Sequence, residues 1–144
     1  MNRYPRLCVL LLLAASALSA RGVRPTLIRG TEVDPNDWKS VVMITIQTAA
    51  GTAGCTATVV GPRAILTAGH CASTGQEATF TSGGVKYTAK MTQSPYYKTE
   101  EHDVGMGVTT ANIQGITPIS IGGEAAKGQP ILLLGYGCTN TAMS

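Results

Sequence analysis

Cys55-Thr-Ala-Thr-Val-Val-Gly-Pro-Arg-Ala-Ile-Leu-Thr-Ala-Gly-His-Cys71 is the stretch on which the fold turns. Two apolar, β-branched runs, Cys55 to Val60 and Ala64 to Thr67, flank the pair Gly61-Pro62 and read as two strands joined by a turn. Past the second run comes His70, set directly against Cys71. A disulfide from Cys55 to Cys71 would close a loop of about 16 residues and stabilise the fold by about 3 kcal/mol in the loop-entropy account. The imidazole beside it would be held in place. That suits a general base, which must lie within hydrogen-bond reach of the group it deprotonates.

Outward from this stretch the same texture continues. Val41 to Gln47, Val85 to Met91, Val104 to Val108 and Ile119 to Ile121 are further short strand candidates. Gly51, Gly54, Gly83-Gly84, Gly115 and Gly122-Gly123 punctuate them as turns. Helical periodicity is absent, apart from a single turn just after His70. Charged residues make up 13% and aromatics 5% of the chain, and with frequent Gly, Val, Ile and Thr the composition favours β-structure. Short strands at this spacing predict an antiparallel barrel or sandwich. The apolar fraction of 44% is enough for a core. Beyond a connector at Ala125 to Gln129, Pro130 leads into one more expected strand, Ile131 to Leu134, and the turn Gly135-Tyr136-Gly137.

Residues 1–20 are excluded from the fold. Arg3 and Arg6 precede the apolar run Leu7 to Ala15 and the small residues Ser16 to Ala20, the pattern of a secretory signal peptide cut after Ser19 or Ala20. The run is shorter than the roughly 20 residues a membrane span needs, and no later one is longer. The expected compartment is therefore outside the cell or the periplasm, with no membrane contact after processing. Losing Arg3 and Arg6 takes the basic count from 11 to 9 against 8 acidic residues, so the net charge falls to about +1. No basic run interleaved with aromatics remains, which argues against nucleic acid as a partner. Cys8 leaves with the leader, so Cys55, Cys71 and Cys138 remain in an oxidising compartment. That odd number leaves Cys138 without an expected partner.

The second chemical element is His102-Asp103-Val-Gly-Met-Gly-Val108, an aspartate opening an apolar strand. With it the chain resembles the chymotrypsin and trypsin family of serine proteases. Leu66-Thr-Ala-Gly-His-Cys71 is similar to the family's histidine motif, with Gly69 where Ala is usual, and Asp103 stands in its acidic motif. Leu27-Ile-Arg-Gly-Thr-Glu-Val33 resembles the mature amino terminus, with Arg29 in place of a glycine. Thr117-Pro-Ile-Ser-Ile121 and Gly128 to Gly137 resemble the link between the family's two barrels and the first strand of the second, with Tyr136 for the commoner tryptophan.

The resemblance covers most of residues 27 to 138. It implies an all-β fold: a six-stranded antiparallel Greek-key barrel, the first of two, plus the opening strand of the second. Residues 21–26 would be a propeptide, 27–124 the barrel, and 125–144 the connector with an incomplete second barrel. His70 is then the general base, Asp103 the carboxylate that orients it, and Leu27 the mature amino terminus. No cofactor or metal is implied, and the substrate is a polypeptide cleaved through an acyl-enzyme.

The family's Gly-Asp-Ser-Gly-Gly nucleophile motif does not occur. The nearest string, Thr81-Ser-Gly-Gly84, lacks the aspartate and lies where a hairpin is expected, so Ser82 reads as a turn residue. A complete two-barrel domain would need roughly 200–250 residues. The chain is thus expected to be an amino-terminal half, inert by itself. Two rivals stand beside this reading. One is a non-catalytic, protease-like binding module. The other is a metal site built from His70, His102 and cysteines, for which no ligand pair has zinc-type spacing.

Overall fold

The computed structural model describes residues 31 to 136, apart from 32, 35 and 100. The signal peptide, the propeptide, Leu27 and Cys138 lie outside the described residues. Among the described residues six strands form: β1 (Val41–Thr48), β2 (Gly51–Gly61), β3 (Ala64–Thr67), β4 (Glu77–Ser82), β5 (Val85–Gln93) and β6 (Gly105–Thr109). A single 3-10 turn, Gly69–Cys71, follows β3, where the sequence suggested one.

Every pairing is antiparallel, and the strands close in the order β1-β2-β3-β6-β5-β4. The run β4-β1-β2-β3 within that order is the Greek key: three consecutive strands form a meander and the fourth returns beside the first. Closure leaves no strand with an open edge. Among the described residues no helix is long and apolar enough to cross a membrane.

Strand alternation explains the interior. Val42, Ile44 and Ile46 of β1 point inward while Met43 points out, and Tyr87, Ala89 and Met91 of β5 are buried between the exposed Lys86, Thr88 and Lys90. Ile44, Val59, Ile65 and Met91 are fully enclosed. Each such side chain contributes about 1.5–3 kcal/mol relative to exposure. Phe80 and Tyr87, directly opposite across β4 and β5, stack with ring centroids 5.4 Å apart. The Tyr87 hydroxyl accepts the backbone N–H of Gln114 at 2.9 Å, so its polar tip is satisfied. Beyond β6, Arg63 Nε donates to the Thr109 carbonyl at 2.7 Å and Ile113 N–H to that of Pro62 at 2.8 Å, pinning the chain under the β2–β3 turn.

Two expected strands do not form. Among the described residues Ile119 to Ile121 makes one backbone bond, its first N–H to the Val59 carbonyl at 2.9 Å, and builds no ladder, since β2 is already paired on both sides. The sixth strand is instead β4, which was not expected. Ile131 to Leu134 is not a strand either: among the described residues no strand pairs with it, and Ile131, Leu132 and Leu133 are exposed.

Candidate active site

The ends of β3 and β6 lie side by side, with Thr67 opposite Gly105. That register brings together the two segments that run past these ends, one carrying His70 and the other Asp103. The 3-10 turn reverses the chain after β3 through bonds from Cys71 N–H to the Ala68 carbonyl (3.1 Å) and Ala72 N–H to that of Gly69 (2.9 Å). The Cys55–Cys71 disulfide anchors it to β2, with Cα atoms 6.4 Å apart. Gln93, at the end of β5, donates from Nε2 to the Gly69 carbonyl at 2.7 Å, a third restraint on the same turn.

Asp103 engages His70 twice. Its Oδ1 accepts the His70 backbone N–H at 2.8 Å, and its Oδ2 lies 2.8 Å from Nδ1. These contacts act on the carboxyl's acidity. The backbone N–H of His70, then the imidazole hydrogen bond, hold Asp103 below its ordinary value of 3.8, while partial burial works the other way. The carboxylate is therefore ionised at neutral pH and accepts from Nδ1–H; a neutral imidazole so held has Nε2 as its proton acceptor. The His70 side chain is 62% exposed and so open to a reacting group.

Close packing around this couple requires small residues. A methyl on Gly105 would overlap Cβ of Ala72, just past the 3-10 turn. One on Gly69 would lie 2.9 Å from the Tyr97 ring and 3.1 Å from Asp103 Oδ1. Nothing in the sequence pointed to Gln93 or Tyr97. The alternating glycines of Val104-Gly-Met-Gly-Val108 were visible, and alternate glycines on one face of a strand signal close approach.

Ser82 ends β4, just before the Gly83-Gly84 turn, and is buried. Its hydroxyl donates to the Gln114 carbonyl at 2.7 Å, and no hydrogen bond joins it to His70 or Asp103. Cys55, Cys71 and His70 place their donor atoms within 4.8 Å of one another. Both sulfurs are engaged in the disulfide, so neither offers a thiolate. His102 is not part of that cluster. A cleft of about 470 Å³ beside His70 is lined by Gln47, Ala53, Cys55, Cys71 and Gln76. A larger groove of about 970 Å³ runs along β1 and β4 and includes neither His70 nor Asp103, so it is not where this chemistry lies.

The Greek-key barrel thus carries a histidine–carboxylate couple at its rim, held there by a disulfide. The Trypsin family model matches residues 27–143, and the chain belongs to that family. No curated protein matches the chain. Among solved structures it is similar to HL collagenase, with a TM-score of 0.56 and 16% identity over 68% of this chain and 48% of that one. It is equally similar to GrC, with a TM-score of 0.56 and 17% identity over 72% and 52%. At such identities the likeness is one of fold. The chain spans about half the length of these solved structures.

Proposed function

We propose that the chain carries the general base and orienting carboxylate of an exported serine endopeptidase, His70 and Asp103, and that the nucleophile comes from outside these 144 residues. The observation that carries this reading is the double engagement of Asp103 by His70. An ionised carboxylate on Nδ1 fixes the tautomer with Nε2 as base and stabilises the imidazolium formed as a serine attacks a peptide carbonyl. The leader pattern of residues 1–20 supports export, and the family supports a polypeptide substrate. In this reading residues 27–124 are the barrel unit, 125–144 lead into a second barrel, and the isolated chain is inert.

The test begins with the nucleotide sequence beyond the Ser144 codon, read in all three frames. A Gly-Asp-Ser-Gly-Gly stretch followed by a partner for Cys138 is the expected result. The longer chain should hydrolyse a peptide ester and lose on the order of 10⁴–10⁶-fold in kcat on His70→Ala. An active longer chain indifferent to His70→Ala would overturn the assignment of the base. Hydrolysis by the 144-residue chain itself, abolished by His70→Ala, would overturn its inertness. The second reading is a protease-like binding module, which absence of that motif from all downstream frames would favour over the enzyme.

A further inference from the structure

Among the described residues, one that is not glycine has a positive φ: His102, at 54°. This is the left-handed region, where the Cβ of an L-residue crowds the backbone carbonyl. The other positive-φ positions, including Gly83 and Gly84 in the β4–β5 turn and Gly115 beyond β6, are all glycine. A plain turn is best made by glycine. At 102, next to Asp103, a histidine stands in that region instead, one of the few non-glycine residue types that enter it with any frequency.

Lys98 and Glu101 exchange both backbone hydrogen bonds, at 2.9 and 3.0 Å, and close a small loop immediately before His102. The His102 carbonyl then accepts the Val104 N–H at 2.7 Å, a three-residue turn with Asp103 at its centre. Val104 is tied in turn to Ser94, whose N–H donates to its carbonyl at 2.9 Å. The chain thus arrives from the Lys98–Glu101 bridge, reverses at His102 and leaves as β6, with Asp103 as the pivot. The Tyr96 ring lies against the His102 imidazole, with centroids 6.0 Å apart and planes inclined at 56°. No hydrogen bond joins the His102 ring to His70 or Asp103.

We propose that His102 is the positioning residue of the couple: its left-handed backbone, braced by the Tyr96 ring, turns the chain so that the Asp103 carboxylate meets His70. This rests on the reading of His70 and Asp103 as base and orienter. His102 acts through Asp103 and touches no substrate. A residue that resists positive φ relaxes the turn and swings the carboxylate off His70. Glycine preserves the turn but loses the brace, so its effect is smaller.

The test is NMR on the full chain, following the titration of the Asp103 carboxyl and the downfield proton of His70 Nδ1–H. In the unaltered chain Asp103 titrates below the ordinary carboxylate range and the Nδ1 proton is visible; failure of both would sink the couple itself, and with it the proposed function. Given the couple, His102→Val should raise the Asp103 titration toward the ordinary range and erase the Nδ1 proton signal. His102→Gly should keep both, with the proton signal broadened, as should Tyr96→Ala. If His102→Val does not fold, His102→Ala takes its place in the comparison with His102→Gly. Retention of both signals in the valine or alanine variant overturns the proposal. So does an equal loss in the glycine variant, since the effect would then not follow from backbone conformation.

Discussion

Both oxygens of the Asp103 carboxylate are engaged by one residue, His70: Oδ1 by its backbone N–H and Oδ2 by its Nδ1, each at 2.8 Å. The backbone bond fixes where the 3-10 turn sits, and the side-chain contact fixes how the ring is turned. The two restraints make the imidazole's position and tautomer consequences of a single carboxylate.

Replacing Asp103 by Asn separates charge from shape. The amide still reaches His70, but it can present its NH₂ to Nδ1 and so stabilise the wrong tautomer. In a longer chain that supplies the nucleophile, kcat should fall on the order of 10⁴-fold with KM little changed. Steady-state kinetics on a peptide ester checks this, and a loss under tenfold would refute the orienting role.

The same carboxyl makes stability depend on acid. Its folded pKa is lower than its unfolded value of 3.8, so the stabilisation is fully present above that value and is lost as pH falls through the lowered one. Urea midpoints measured from neutral pH into acid should decline more steeply below about 3.8 for the unaltered chain than for Asp103→Asn. Parallel curves would mean that the two contacts do not persist in solution.

Gly105→Ala should destabilise the barrel by about 1–3 kcal/mol, because the new methyl and Cβ of Ala72 claim the same space. Ala72→Gly in that background should restore part of the loss, with a coupling of about 0.5–3 kcal/mol between the two positions. Gly107→Ala is a harder case for rescue: its methyl would meet Met91 Sδ at 2.7 Å, which can move, and Ile65 Cγ1 at 2.8 Å, which cannot easily. Thermal melts of Gly105→Ala, Ala72→Gly, their double variant and Gly107→Ala decide the matter, and additive losses at 72 and 105 would count against the contact.

Opening the Cys55–Cys71 bridge should cost about 3 kcal/mol, as expected for a loop of this length. Cys55→Ser should match chemical reduction by a dithiol. A urea titration with and without reductant reads the difference directly, and no shift in midpoint would show that the closed loop adds nothing to stability.

Much of this was legible where side-chain pattern and chain geometry coincide. The strands β1, β2, β3 and β5 announce themselves through β-branched runs, and Cys55, His70 and Cys71 carry their relationship in their spacing. β4 was illegible because Glu77–Ser82 holds only Ala78 and Phe80 as apolar residues, and its third inward side chain is Ser82, satisfied by a carbonyl 32 residues away. Ile119 to Ile121 erred in the opposite way, since apolar residues imply a strand only where a partner edge is open. Gln93 could not be found at all. Its role depends on β5 ending beside the Gly69 carbonyl, which is a fact of register and not of composition.

The pairing of β3 with β6 also sets when the couple can come into being. Thr67 and Gly105 are far apart along the chain, and the strands between them, β4 and β5, pair with each other as a hairpin. Contacts of such long sequence separation carry a larger loop-closure cost than those within a hairpin. The oriented base and the aligned carboxylate therefore exist only where the β3–β6 edge is paired, and a chain in which that edge is open holds neither.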